Sequence, residues 1–453
     1  MRDSSIFIMN KLKIVSILKV FYYMLPKFIR GQYTDSVTVL RNMALGDKSL
    51  HNNFFVENKI KLVEELESLG ATFDIITHII GRKNIIAAPV IYIDNVRCFR
   101  PSLEGSLIDV KVIHLFHVTL IGSTDGVIYK DKMYHQELLS MRHTNDLKQP
   151  DIFVSQNFVK IHNYDYLVRS RKNVLNIEGP AISLLKEHSS NYYHCVTEIL
   201  PKLQQILSCV PNNKHSFSIL IDDCMPIQVV NMINVILSAY TSFQYELIKV
   251  EKGQKVNCNE VIYCTPLWLS LDNTQYLPDP KNEFFVSVDS LKKLKGHISS
   301  VLLAPTVSSK YRKVYLQRQN NRLRKISNIL EVERVLYKHG FEFVNTGTLS
   351  FQEQYELFSD TDVVIGVSGA SFTNILFMQR NSKAILLSPS AQCTNYYIFQ
   401  PLADVSEVEL VHLLSKPDDD SNSLHGDASV NLEELELFLS EMSCDSIDGG
   451  FIK

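Results

Sequence analysis

The chain has 453 residues and a mass of 51.8 kDa, which is more than one hydrophobic core usually supports, so we expect two domains or one with a large elaboration. Hydrophobic residues make up 45% of the sequence and charged residues 21%, proportions that exclude disordered, collagenous and coiled-coil proteins. The formal net charge of −3 offers no overall basic surface to a polyanion, and we predict no nucleic-acid partner.

The N-terminal region, residues 1–172, is predicted to be helical first and β-rich afterwards. Lys11, Lys13 and Lys19 interleave with apolar residues before Pro26. This pattern fits either a basic amphipathic helix on an anionic bilayer or a helix that packs on a domain with its lysines outward. The apolar stretch is too short for a spanning helix, and it lacks the uninterrupted core of a signal peptide.

The eight cysteines are scattered singly, with no C-x-x-C motif and no short-range cluster with histidine. This spacing argues against a structural zinc site and against a disulfide framework. A reducing compartment is therefore the better prediction. We expect a cytoplasmic protein without a bound metal, and any peripheral membrane contact would come from the basic N-terminal segment.

The rest of the chain divides by its hydrophobic pattern. Short apolar runs from about residue 85 to residue 168 predict strands, whereas residues 173–304 and 305–415 alternate strand-like runs with helix-length amphipathic segments. Residues 416–453 read as an acidic linker and a final helix. Strict alternation implies parallel doubly wound sheets. We therefore predict an α/β protein with two Rossmann-like domains that face a cleft, preceded by a β-rich segment.

The segment Asp362–Met378 predicts an anion site. A hydrophobic strand is followed by a loop of small residues and at once by a helix, whose first backbone N–H groups point outward. Phosphate is the natural ligand, and the alternative is that the small residues only permit close helix–sheet packing. The residues assigned to this site are Ser368, Gly369, Ala370, Ser371, Thr373 and Asn374.

A basic segment, residues 310–325, carries seven lysines and arginines and no acid. Such clustering in a balanced chain favours an anionic partner, and the alternative is a solvated basic loop. Arg318 lies at the end of a predicted strand, where doubly wound sheets bind ligands. We assign Arg318, Arg322 and Arg324 to a diphosphate-binding site, because a guanidinium matches the geometry of a phosphate.

The predicted helix Asn191–Leu207 places His194 and Glu198 one turn apart on its polar face. Pro201 supplies no N–H group to the helix and weakens the hydrogen-bond ladder beside Glu198. We expect the pair to meet water or to line the cleft. An ordinary surface pair is the alternative interpretation.

Three segments in combination resemble glycosyltransferase family 61, which includes bacterial capsular polysaccharide enzymes. They are NYYHCVTEILPKL at 191–203, RLRKISN at 322–328 and DVVIGVSGASFTNILF at 362–377. The resemblance implies a GT-B-like fold, an inverting mechanism, a nucleotide-sugar donor held by the C-terminal half, and neither an essential metal nor a cofactor. The chain departs from the family where Ser368 replaces a histidine, Ser371-Phe372 replace Gly-Leu, and Leu386-Leu387 stand in a strand that often carries a glutamate.

The resemblance predicts a metal-independent hexosyl- or pentosyltransferase that moves a sugar from a nucleotide sugar to a glycan or lipid-linked glycan acceptor, for a surface polysaccharide such as a capsule. Transfer needs a group that takes the acceptor proton, and His194 and Glu198 are the candidates, with Asp222 and Asp223 next. It also needs positive charge for the leaving diphosphate. A catalytically silent nucleotide- or glycan-binding subunit is the alternative. A metal hydrolase that uses His194 and Glu198 lacks a third ligand at a recognisable spacing.

Overall fold

The computed structural model describes residues 54–58, 73–79, 83–106, 109–130, 132–135, 158–162, 165–210, 216–240, 243–270, 284–302, 312–318, 325–390, 394–418 and 427–448. The basic N-terminal segment, Arg322, Arg324 and residues 419–426 of the acidic linker lie outside them. Within these ranges no helix is both long enough and apolar enough to cross a membrane.

Among the residues that the structure describes, a series of strands comes first and helices occur only after residue 190. The strands are β1 Phe54–Asn58, β2 Phe73–Ile79, β3 Lys83–Ile86, β4 Val90–Ile93, β5 Val96–Phe99, β6 Leu103–Ser106, β7 Val110–Ile121, β8 Val127–Tyr129, β9 Lys132–Tyr134, β10 Phe158–His162, β11 Asp165–Arg169, β12 Val174–Ser183, β13 Ser216–Asp222, β14 Gln244–Val250, β15 Lys255–Cys264, β16 Trp268–Ser270, β17 Phe284–Val286, β18 Lys313–Leu316, β19 Glu342–Val344, β20 Val363–Val367, β21 Lys383–Pro389, β22 Glu409–Pro417 and β23 Ala428–Ser429. The α-helices are α1 Tyr192–His194, α2 Leu200–Cys209, α3 Ile227–Ser238, α4 Val288–Val301, α5 Ile329–Lys338, α6 Phe351–Ser359, α7 Gln400–Ser406 and α8 Leu432–Asp448. A π-helix spans Cys195–Ile199, and 3₁₀-helices span Thr346–Thr348 and Ala370–Phe377.

The chain forms two compact units that interleave along the sequence. The first comprises Met1–Ile80, Asp109–Ile227 and Tyr240–Pro266, and the second comprises Gly81–Ile108, Gln228–Ala239 and Leu267–Lys453. The mixed α/β class expected from the sequence is confirmed. The domain boundaries predicted above, at residues 172, 304 and 415, stay a prediction.

The first unit is built on a sheet with the strand order β14-β13-β12-β15-β7-β8-β9, and β2 also pairs with β7. Strands β12 to β15 are parallel to one another, and β7 runs antiparallel to β15. Because β13 and β15 lie on opposite sides of β12, the strand order reverses at β12. In open α/β sheets a ligand site forms outside the carboxyl end of the strand at such a reversal.

The second unit is built on a sheet with the order β19-β18-β20-β21-β22-β4-β5. The strands from β19 to β4 are parallel, and β5 is antiparallel to β4. All five residues of β20 are buried, as expected for a strand covered on both faces. The order reverses at β18, which lies between β19 and β20. The carboxyl ends of β18 and β20 are therefore the expected ligand site of this unit.

The β-rich segment does more than precede the α/β region, because it supplies strands to both sheets. Strand β7 pairs with β15 in the first unit, whereas β4 pairs with β22 in the second. Strand β4 is almost entirely buried. Its apolar side chains are removed from water because the strand covers the edge of another sheet. The hydrophobic pattern predicts a buried strand there but not the edge that it joins.

Gly366 of β20 allows three segments to approach closely. A Cβ atom at this position would lie 3.1 Å from the Cβ of Leu316 in β18 and 3.2 Å from the Cε2 of Phe372 in the following 3₁₀-helix. Both separations are tighter than ordinary van der Waals contact. Glycine at this position therefore lets the 3₁₀-helix begin directly beside the carboxyl ends of β18 and β20.

Candidate functional sites

In the first unit, the segment between β12 and α1 carries two basic side chains, those of Lys186 and His188. It is held in place by the buried carboxylate of Asp222, at the end of the neighbouring strand β13. One oxygen of Asp222 accepts a hydrogen bond from the backbone N–H of Lys186 at 3.0 Å, and the other accepts one from the backbone N–H of Ser123. The carboxylate thus fixes where the main chain leaves β12.

The helix that follows is irregular where the sequence predicts it. Pro201 has no N–H group to donate to the carbonyl of Thr197, and the N–H of Leu200 instead donates to the carbonyl of Cys195, five residues earlier. The Thr197 hydroxyl donates to the Tyr193 carbonyl at 2.7 Å. The result is the π-helix Cys195–Ile199, a local widening that is frequent at functional sites.

His194, Glu198 and Lys186 form a connected cluster. The Nδ1 of His194 lies 2.6 Å from the Oε1 of Glu198, and the Nζ of Lys186 lies 3.1 Å from the Oε2 of the same carboxylate. The side chains of Lys186 and Glu198 are 2% and 5% exposed, whereas that of His194 is 17% exposed. The cluster therefore has an ion pair in the interior and an imidazole that a solute can reach.

Two further side chains border this cluster. The imidazole of His188 stacks on that of His194 with ring centroids 5.1 Å apart, and His188 itself adopts a φ of 62°. The Cys195 thiol donates to the carbonyl of Ser189, and burial raises the pKa of this thiol well above its usual range. The thiol is therefore a buried neutral group rather than a nucleophile.

Glu198 does not meet water, which was one of the two environments expected for it, and its position at a cleft stays a prediction. Glu198, Lys202 and Gln205 are all buried, so the helix is covered around its whole circumference here. A buried carboxylate needs a counter-charge, and Lys186 supplies it. Sequence reasoning missed Lys186. The sequence feature that could have identified Lys186 is a lone lysine in the first turn after an apolar strand, at the edge of the sheet where ligands bind.

Asp222 and Asp223, the second choice for a base, lie in different environments. Asp223 is exposed, whereas Asp222 is 1% exposed and its oxygens are committed to the backbone of Ser123 and Lys186. Burial raises the pKa of Asp222 from 3.8 to about 6, although its hydrogen bonds act in the opposite direction. Asp222 therefore supports the segment that carries Lys186.

This raised pKa makes the stability of the protein depend on pH. The folded state binds the Asp222 proton more tightly than the unfolded chain does, so the stabilising contribution is complete below about pH 4 and is lost as the pH rises through 6. We expect Asp222→Asn to remove this dependence. The difference in free energy of unfolding, variant minus wild type, should therefore rise by about 3 kcal/mol from pH 4 to pH 7. Urea titrations of both proteins at four pH values measure the difference, and a constant difference would contradict the assignment.

In the second unit, Arg318 follows β18 at the reversal of strand order. Its Nη1 donates to the carbonyl of Ser368, after β20, at 3.3 Å, and its guanidinium carbon lies 3.4 Å from where a Cβ of Gly369 would be. Burial lowers the pKa of the Arg318 guanidinium, an effect that favours an anion beside it. The structure therefore brings Arg318 together with the loop that the sequence predicts as an anion site.

The helix after this loop is a 3₁₀-helix, Ala370–Phe377, and not the α-helix that the sequence predicts. Its first hydrogen bond runs from the N–H of Phe372 to the carbonyl of Gly369, so the N–H groups of Ala370 and Ser371 lie outside the helical ladder. The tighter turns bury six of the eight residues, from Phe372 onward. Such burial outweighs the modest helix propensity of Ser, Phe, Thr and Asn.

The other residues assigned to this loop lie deeper. Thr373 and Asn374 are fully buried, and the Asn374 amide donates to the Oε1 of Gln354 at 2.7 Å. The Thr373 hydroxyl makes no hydrogen bond within the part of the chain that the structure describes. Leu386 and Leu387 are also fully buried, in β21 beside β20, so the substituted family position is apolar core.

The sequence Asp360-Thr361-Asp362 has a local structural role. Asp360 ends α6 as its C-cap residue, and the Asp362 carboxylate accepts a hydrogen bond from the backbone N–H of Arg312 at 2.7 Å. More widely, the described ranges contain no group of three or more His, Cys, Asp and Glu side chains arranged to hold a metal ion.

Residues 192–385 match the family model described as Glycosyltransferase 61, a range that contains His194, Glu198, Arg318 and the Ser368–Asn374 loop. This match supports the assignment to glycosyltransferase family 61 that the three sequence segments predicted. No curated protein is significantly similar to the chain in sequence.

Among solved structures, the chain is similar to one described as the crystal structure of dodecameric iron-containing heptosyltransferase TibC in complex with ADP-D-beta-D-heptose. The two sequences are 13% identical, and the TM-score is 0.21. The similarity covers 47% of this chain and 58% of that one, so this chain spans less than two thirds of that protein's length. A TM-score of this size does not place the two chains in one fold.

Proposed function

We propose that the chain is an inverting, metal-independent glycosyltransferase with a GT-B-like division of labour, in which the second unit binds a nucleotide-sugar donor and the first unit supplies the base. The observation that carries the proposal is the hydrogen bond from Arg318 to the Ser368 carbonyl, at the strand reversal of the second unit and directly before Gly369. A cation and backbone N–H groups outside the helical ladder meet there, and a diphosphate needs both kinds of donor.

The donor diphosphate would bind between the Arg318 guanidinium and the N–H groups of Ala370 and Ser371. These groups stabilise negative charge that develops on the diphosphate as the sugar leaves, so they act more strongly in the transition state than in the ground state. The Thr373 hydroxyl lies deeper in the same turn. Ser368, in place of the histidine common in the family, accepts a hydrogen bond from Arg318 through its carbonyl.

His194 would act as the general base. The acceptor hydroxyl oxygen forms a bond to the anomeric carbon while the bond from that carbon to the diphosphate oxygen breaks, and the bonding electrons leave with the nucleoside diphosphate. The hydroxyl proton passes to the imidazole of His194, which Glu198 orients through its contact of 2.6 Å. Attack opposite to the leaving group inverts the configuration at the anomeric carbon.

The wider role rests on the family resemblance. We propose a hexosyl or pentosyl donor, a glycan or lipid-linked glycan acceptor, and a place in the synthesis of a surface polysaccharide such as a capsule. A cytoplasmic location would supply the nucleotide sugar, and the basic segment around Lys11, Lys13 and Lys19 would bring the enzyme to an acceptor at the membrane. The family's bacterial capsular polysaccharide enzymes support this choice.

Substituting Arg318 tests the donor site. Arg318→Ala is expected to weaken donor binding by about 1.5 to 3 kcal/mol, or roughly 10- to 150-fold, because it removes charged hydrogen bonds to the diphosphate. The measurement is the thermal upshift of the protein with UDP, GDP, CMP and their sugars. Saturation at about 100 Kd adds about 2.7 kcal/mol of stability to the wild type.

The matched control is Arg312→Ala. Arg312 precedes β18, and its guanidinium pairs with Glu342 at 3.0 Å and with Asp360 at 3.4 Å. This variant should bind the donor as the wild type does. Equal donor affinity in the Arg318 and Arg312 variants would remove Arg318 from the site.

A catalytically silent binding subunit is the second candidate function. It is favoured by Ser368 at the family's histidine position and by the fully buried Leu386 and Leu387 where a glutamate is frequent. Such a protein would show the same thermal upshift but release no nucleoside diphosphate. Assaying nucleoside diphosphate release with the nucleotide sugar that binds best separates the two functions.

A further inference from the structure

We propose that Lys186 is a positioning residue that keeps Glu198 ionised and so holds His194 in the tautomer with its proton on Nδ1. The lone pair is then on Nε2, where the imidazole can take a proton. The charge assignment stands on the geometry of the three side chains, whereas the use of Nε2 for an acceptor hydroxyl rests on the proposed function.

The Glu198 carboxylate and the Lys186 ammonium are both buried. The Glu198 side chain is 5% exposed and cannot share its negative charge with bulk water, so it is ionised only if a counter-charge is close. The Lys186 ammonium lies 3.1 Å from Oε2 and is 2% exposed itself. Each group therefore stabilises the charged form of the other, and removal of one leaves a buried charge without compensation.

The position of Lys186 is fixed by the sheet rather than by Glu198. Its backbone N–H is bound by the Asp222 carboxylate at 3.0 Å, and the residue comes three positions after β12 ends. Rigid elements therefore hold the Lys186 ammonium beside the Glu198 carboxylate. A preorganised charge of this kind costs little conformational entropy when the pair forms.

The third step concerns the proton between His194 and Glu198. With Oε2 bound by Lys186, the carboxylate presents Oε1 as an acceptor, and the 2.6 Å contact requires a donor on Nδ1. A neutral imidazole that carries its proton on Nδ1 has its lone pair on Nε2. The ion pair with Lys186 thus decides which nitrogen of His194 is basic.

The proton affinity of His194 depends on every charged and titratable group around it. Lys186 and His188 approach from the segment after β12, Asp222 lies at the end of β13, and the helix contributes Tyr193, Cys195 and Glu198. The Lys186 charge lowers the proton affinity of the Glu198–His194 pair. Without Lys186, a protonated His194 is the nearest counter-charge for the Glu198 carboxylate, so the Glu198–His194 pair holds its additional proton to higher pH.

The test is an NMR titration of the His194 ring in ¹³C,¹⁵N-histidine-labelled protein, with the His194 signal assigned by its loss in His194→Gln. In Lys186→Met the midpoint of the His194 titration should rise by roughly one pH unit or more. Lys186→Arg, which keeps the charge, should restore the midpoint of the wild type. In Lys186→Met, the acidic limb of the pH profile of turnover should move to higher pH by the same amount.

Two controls separate this role from a general effect of losing a lysine. Lys295→Met removes the charge of a partly buried lysine of the second unit, whose Nζ donates to the Met378 carbonyl, and should leave the His194 midpoint unchanged. Because Asp222 titrates near pH 6, the Lys186→Met shift is also measured in an Asp222→Asn background, where it should persist.

An unchanged His194 midpoint in Lys186→Met would overturn the proposal. A measurement on the wild type alone gives a second test, in case the variant fails to fold. The ¹³C carboxyl signal of Glu198, assigned by its loss in Glu198→Gln, should stay that of a carboxylate from about pH 5 to pH 8. A protonation step in that range would overturn the proposal as well. Neither result depends on turnover, so failure here is distinct from a failure to bind or cleave any nucleotide sugar.

Discussion

His194→Ala and Glu198→Gln are each expected to lower turnover by roughly 10² to 10⁴-fold and to leave the affinity for the nucleotide sugar unchanged. In the proposed mechanism, the imidazole takes the acceptor proton and the carboxylate, 2.6 Å away, holds the imidazole in position. Both side chains belong to the first unit, whereas Arg318 and the proposed donor site belong to the second. Turnover and nucleotide affinity are measured separately for each variant.

The control for these variants is His297→Gln. His297 is a partly buried histidine of α4 whose Nε2 contacts the carbonyl of Ile236 at 3.0 Å, and its loss should leave turnover near that of the wild type. If His194→Ala and Glu198→Gln also retain near-normal turnover, the pair is structural. The search for a base would then move to Asp222 and Asp223.

Lys202→Met is expected to lower the free energy of unfolding by about 3 to 5 kcal/mol. The Lys202 ammonium lies 3.1 and 3.2 Å from the two oxygens of Asp125, which also accepts a hydrogen bond from the Tyr263 hydroxyl at 2.9 Å. The side chains of Lys202 and Asp125 are both 4% exposed. The substitution leaves a buried carboxylate without its counter-charge, and denaturation followed by circular dichroism measures the loss.

The double variant Lys202→Met with Asp125→Asn provides the comparison. It removes both charges and keeps a hydrogen-bond acceptor for Tyr263, so we expect it to be more stable than Lys202→Met alone. A loss below about 1 kcal/mol in Lys202→Met would contradict the buried ion pair, since that is the size of an exposed one.

Local sequence patterns predict the elements that carry the candidate sites. The apolar run at residues 362–366 becomes β20 at Val363–Val367, and the spacing of His194 and Glu198 brings the two side chains together even though the helix between them is widened. Pro201 marks that widening in the sequence. These features follow from interactions within a few residues, which a single sequence contains.

The contact of Arg318 with the loop after β20 is also predictable, because the carboxyl ends of adjacent parallel strands meet at one edge of a sheet. Pairings between distant segments are not predictable in this way. Lys186 meets Glu198, and β4 covers the edge of β22, through the arrangement of whole elements. A hydrophobic pattern shows that a face is buried, but it does not specify the partner or the counter-charge.

The proposed inverting mechanism is tested most directly by ¹H NMR of the nucleotide sugar that binds best, incubated with the protein and with water as the acceptor. We predict slow release of nucleoside diphosphate and a first-formed sugar of inverted anomeric configuration, seen before mutarotation, with both signals lost in His194→Ala. Binding without release of nucleoside diphosphate, or a first-formed sugar of retained configuration, would contradict it.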